Sequence, residues 1–99
     1  MLHNIVLIDD NFAIRQIIKI FLARLSRKYT FDLKIFSSDN GVEGLGFVFI
    51  TDPNIIIVDT TLPKYSGKDI LEFFVQNRKF KSKEVTVIVL EERTDRTLN

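Results

Sequence analysis

No cysteine occurs in the 99 residues, which excludes a disulfide framework, a thiolate metal site and a cysteine nucleophile. Neither sign of charge predominates. Fourteen Lys and Arg against thirteen Asp and Glu leave a formal net charge of +1, so composition supplies no electrostatic attraction toward nucleic acid or an anionic membrane. Long apolar runs are missing too, and no stretch can span a bilayer. Met1-Leu2-His3-Asn4 lacks the basic start and apolar run of a secretory signal. The expectation is a soluble, cytoplasmic protein. With 45% apolar residues in so short a chain, a single domain over residues 1–99 with a modest core is expected.

The apolar residues come in short blocks that end in carboxylates. Ile55-Ile56-Ile57-Val58 is four β-branched residues without polar interruption, the pattern of a central parallel strand buried on both faces, and it stops at Asp59. Thr60-Thr61-Leu62-Pro63 cannot continue it, because Pro63 has no N–H and holds Leu62 extended; Gly67 reopens the chain for a helix. Ile5-Val6-Leu7-Ile8 repeats the design and ends in Asp9-Asp10, where Asp10 or Asn11 can cap the next helix. In that helix Ile14, Ile17, Ile18, Phe21 and Leu25 recur at helical spacing, and Ile20 and Leu22 widen the arc. Phe31 to Phe36 alternates in part, as an edge strand does.

Val42 to Ile50 is ambiguous. Gly44 and Gly46 each weaken a helix by about 1 kcal/mol relative to Ala, and Asn40-Gly41 is also a hairpin signal. A loosely held helix is favoured because Val42, Leu45 and Phe49 share a face. Lys68 to Arg78 supplies a further short helix; Lys79, Lys81 and Lys83 read as a solvated loop. Val85 to Leu90 reads as another buried strand, and residues 91–99 form a polar tail. The sum is β-α-β-α-β-α-β, the alternation of a doubly wound parallel sheet. Right-handed crossovers place the first strand beside the third, so Asp9, Asp10 and Asp59 meet at one carboxyl edge.

Three ionised carboxylates about 5 Å apart repel by roughly 3 kcal/mol per pair at an effective dielectric near 20. Proton uptake relieves that, and so does a hard divalent cation, for which carboxylate and carbonyl oxygens are suitable ligands. Mg²⁺ suits an open site with few protein ligands, and an aspartate beside it can accept a phosphoryl group as an acyl phosphate.

These residues carry a resemblance. Ile5 to Asn11, Asn40 to Leu45, and Asp52 to Pro63 with Ser66-Gly67 resemble the response-regulator receiver domain of two-component signalling, from Met1 to about Leu90. The resemblance implies a flavodoxin-like fold with Val42 to Ile50 as its second helix. It implies Asp59 as phosphoacceptor, Asp10 as a direct Mg²⁺ ligand, Asp9 near the ion through water, and the Thr61 carbonyl as a further ligand. The implied partner is a histidine kinase or phosphotransfer protein. The chain would be an acceptor and not an enzyme.

The sequence also departs from that pattern. Receivers carry Ser or Thr at the end of the fourth strand, where Glu91 stands here, and Thr94 lies three residues too late. They carry a Lys at the end of a fifth strand, and the residues after Leu90 hold no such strand. The rival reading is therefore a degenerate receiver that serves as an interaction or dimerisation module. A Mg²⁺-dependent phosphohydrolase would want an acid two residues after its nucleophile, where Thr61 stands. Without a fifth strand and helix, the edge of the fourth strand and the outer face of the first helix would lie open. A homodimer through one or both is expected.

Overall fold

The computed structural model describes residues 2–59, Leu62, Asp69, Glu72, Phe73, Gln76 and residues 85–91. Its elements are β1 (Leu2–Ile8), α1 (Phe12–Lys28), β2 (Asp32–Ser38), α2 (Gly41–Thr51), β3 (Ile55–Asp59) and β4 (Thr86–Leu90). All pairings are parallel, in the order β2-β1-β3-β4. The Thr60-Thr61 and Pro63 to Gly67 turn, the basic loop and the tail beyond Glu91 lie outside the described residues. So does most of the helix expected over Lys68 to Arg78, of which Asp69, Glu72, Phe73 and Gln76 are helical. No described helix is long and apolar enough to cross a membrane.

Both faces of the sheet are covered, and this is why its central strands read as uninterrupted apolar runs. On one face Val6, Ile8, Ile56, Val58 and Leu62 pack with Val48 of α2 and with Phe36, Leu45, Phe47 and Phe49. On the other, Ile5, Leu7 and Ile57 meet Ile18 and Leu22 of α1. β2 is an edge strand, as its partial alternation predicts.

At the amino end of the sheet two asparagines fasten β1 to β3. Asn4 N–H donates to Asn54 Oδ1 at 2.9 Å, and Asn54 N–H donates to the Asn4 carbonyl at 2.8 Å. α2 stops beside them. Asp52 takes up the left-handed region at φ 49°, and Pro53 follows.

The outer face of α1 is open, as expected, and the expectations for α2 and β4 are corrected. The buried side of α1 is the row through Ile18 and Leu22; Ile17 and Phe21 are 62% and 58% exposed. The apolar arc of α1 holds two adjacent stripes, and the sheet covers only one. Of the expected α2 face, Leu45 and Phe49 pack against the core while Val42 is exposed; the buried residues are Gly41, Gly44 and Val48, and Gly44 lets the helix backbone come close to Ile8 of β1. β4 is only partly buried, with Thr86, Ile88 and Val89 exposed. It pairs with β3 on one side, and no described strand pairs on its other side.

Candidate functional site

Where β1 ends, the chain makes a turn governed by Asp9. Asp9 N–H donates to the Ser38 carbonyl at 3.0 Å, which extends the pairing of β1 with β2 by one step. The Asp9 carboxylate accepts the Asn11 N–H at 2.8 Å, and Asn11 Oδ1 accepts the Ile14 N–H at 3.1 Å. Asn11 is therefore the cap of α1. Asp9 is buried and Asp10, between the two, faces solvent.

β3 delivers the third carboxylate. Ile8 is the register partner of Val58, so the next residues, Asp9 and Asp59, arrive side by side. Asp59 is 7% exposed and pairs in register with Leu90 of β4. Asp9, Asp10 and Asp59 each present a carboxylate oxygen within 4.8 Å of the others. They line a cleft of about 430 Å³ together with Asn11, Ile14, Val89, Leu90 and Glu91. The sequence expects these three acids to meet, and they do. Thr61 lies outside the described residues.

Burial pushes the Asp9 carboxyl above the ordinary aspartate range, and the charges of Asp59 and Asp10 push it further. The Asn11 N–H and the Arg15 guanidinium oppose that rise. The donors are all hard oxygens, and a divalent cation among them would offset the crowding that raises Asp9, so the arrangement fits such an ion.

Arg15 joins the site without being signalled by the motifs of the sequence. It is half-buried, and its Nη1 donates to the Asp9 carbonyl at 2.7 Å. A cation one helical turn past an acid pair is the signal that could have found it. Glu91 was singled out in the sequence, and it stands exposed on the β4 side of the same cleft as Asp59.

No protein-family model and no curated protein matches this sequence. Solved structures do match. The chemotaxis response regulator CheY4 of Vibrio cholerae superposes with a TM-score of 0.78 at 18% identity, over 96% of this chain and 72% of that one. The Mn²⁺-bound form of response regulator Rcp1 gives 0.74 at 24% identity, over 94% and 68%. The signal receiver domain assigned to a Luxo repressor protein of Vibrio parahaemolyticus gives 0.68 at 22% identity, over 96% and 65%. This chain thus spans a little under two thirds of that last chain. At these identities the likeness establishes the fold, which is the flavodoxin-like fold of response-regulator receiver domains.

Proposed function

We propose that this chain is a phosphoacceptor receiver domain in which Asp59 takes a phosphoryl group from the phosphohistidine of a histidine kinase or phosphotransfer protein. The observation that carries this reading is the convergence of Asp9, Asp10 and Asp59, with carboxylate oxygens within 4.8 Å of one another, in a cleft at the carboxyl edge of a receiver fold. An Asp59 oxygen forms the new P–O bond as the P–N bond breaks and the imidazole nitrogen leaves. Asp59 is consumed once per transfer, so the chain acts as an acceptor and not as an enzyme.

Asp10, Asp59 and Asp9 would hold Mg²⁺, with the Thr61 carbonyl as the ligand implied by the resemblance. When bound, the ion supplies positive charge against the phosphoryl oxygens. The chain's own groups do the positioning. Asn11 N–H and the Ser38 carbonyl fix Asp9, Arg15 holds the Asp9 carbonyl, and the β3–β4 pairing fixes the backbone of Asp59.

A second reading, a degenerate receiver that works as an interaction or dimerisation module, is favoured by Glu91 in the cleft and by the exposed apolar stripe of α1. Acetyl phosphate with Mg²⁺, followed by intact-mass measurement, separates the two. Addition of one phosphoryl group that is lost in Asp59→Asn supports the acceptor. No addition under forcing conditions leaves the interaction module.

A further inference from the structure

Glu91 brings a fourth carboxylate to the edge where Asp9, Asp10 and Asp59 already meet. It directly follows Leu90, the register partner of Asp59, and lines the same cleft from the end of β4, with β3 between it and the end of β1 that carries Asp9 and Asp10. The structure gives a cation and a phosphoryl group opposite experiences of that residue. To a hard divalent ion held by the three aspartates it is a further negative charge in the same cleft, outside the group of oxygens that meet within 4.8 Å. To an incoming phosphoryl oxygen it is a negative charge lining the cleft, carrying no proton to donate when ionised.

We infer that Glu91 is a selectivity residue of this cleft, which strengthens the hold on a divalent cation and slows the approach of a phosphoryl donor to Asp59. The inference rests on the acceptor reading of Asp59 for its kinetic half and on the acidic site alone for its binding half. The two halves are linked by sign. A single neutral substitution moves cation affinity down and phosphorylation rate up, whereas a loss of fold moves both down. Glu91 is exposed, so its charge is screened by water and salt and its effect is modest. Removing it changes each quantity by roughly two- to fivefold, the range of one exposed, screened charge pair.

The test compares the wild-type chain with Glu91→Gln, which keeps the side-chain shape and removes only the charge. Mg²⁺ alone is titrated while the amide shifts of Asp9, Asp10 and Asp59 are followed, and the initial rate with acetyl phosphate is measured by intact mass at saturating Mg²⁺. The expected result is weaker Mg²⁺ binding and faster phosphorylation in Glu91→Gln, with both differences shrinking as salt is added. Glu91→Asp, which keeps the charge, stays close to wild type. Equal Mg²⁺ affinity in wild type and Glu91→Gln overturns the inference, as does a rate that falls with the charge removed. If neither chain accepts phosphoryl, the acceptor reading fails separately, and the Mg²⁺ titration still decides whether Glu91 serves the cation.

Discussion

Gly44 of α2 lies directly against Ile8 of β1: a Cβ placed on Gly44 would come within 2.6 Å of Ile8 Cγ1 and 3.1 Å of Ile8 Cγ2. Ile8 is fully buried and immediately precedes Asp9 and Asp10. The closeness of this helix to this strand thus sets the ground on which the acid pair stands.

The two helical glycines should consequently respond in opposite directions. Gly44→Ala gains about 1 kcal/mol of helix propensity but forces overpacking that typically costs about 1–3 kcal/mol, and Ile8 has no room to yield. Gly46 has nothing within 4 Å of its Cβ position, so Gly46→Ala keeps the propensity gain. Urea unfolding should show Gly44→Ala destabilised by up to about 2 kcal/mol and Gly46→Ala stabilised by about 0.5–1 kcal/mol. Equal responses would mean that α2 stands off the sheet.

The same contact shows what the sequence could and could not disclose. β1 and β3 were legible because burial on both faces removes polar interruptions, and their terminal carboxylates are covalently fixed to the strand ends. Strand ends brought together by topology bring their acids with them, so the Asp9, Asp10 and Asp59 cluster was legible too. The packed faces of the helices were legible only in part. In α1 two apolar stripes are equally good by spacing, and only the position of the sheet selects Ile18 and Leu22 over Ile17 and Phe21. In α2 the apolar residues Leu45, Val48 and Phe49 reach the core, but the closest approach to β1 is made by Gly44, which carries no apolar signal. Arg15 joins the site through a side chain reaching a backbone carbonyl, a contact that spacing does not encode.

Asp9 predicts a pH effect. Its carboxyl is raised by burial first, then by Asp59 and Asp10, against the lowering by Asn11 N–H and Arg15. The folded state therefore binds this proton more tightly than the unfolded chain. Its contribution to stability is present in acid and is lost as pH rises from the ordinary aspartate value of 3.8 through the raised one. Asp9→Asn, which can still accept from Asn11, should unfold at a higher temperature than wild type at pH 7. The gain should disappear near pH 3. A variant less stable than wild type at pH 7 would show that the ionised Asp9–Arg15 interaction outweighs the burial.

Cation binding should be visible as stability. An ion that binds only the folded chain stabilises it by RT ln(1 + [L]/Kd), about 1.4 kcal/mol at ten times Kd, which for a domain this size is roughly a 5–10 °C rise in Tm. Mg²⁺ or Mn²⁺ at tens of millimolar should give that rise at constant ionic strength, and EDTA should reverse it. Asp10→Asn should abolish it, since Asp10 is the exposed member of the three and its loss disturbs no buried contact in the described residues. An equal rise with the monovalent control would assign the effect to screening alone.

The final prediction concerns self-association. Ile17, Ile20 and Phe21 are each more than half exposed along α1, and Ile88 and Val89 are exposed on β4. Ile14 and Val89 line the same cleft, so the two apolar regions approach each other at the carboxyl edge. Apolar surface is worth roughly 25 cal/mol per Å² when covered, and covering a few hundred Å² per chain supplies several kcal/mol before the costs of association. A second copy can cover like with like about a two-fold axis, which needs no separate partner surface. Light scattering at tens of micromolar should give twice the chain mass, and Ile17→Lys with Ile88→Lys should return it to one without lowering Tm, since neither side chain is buried. A wild-type chain that scatters as a monomer across this range would show that these side chains stay in water.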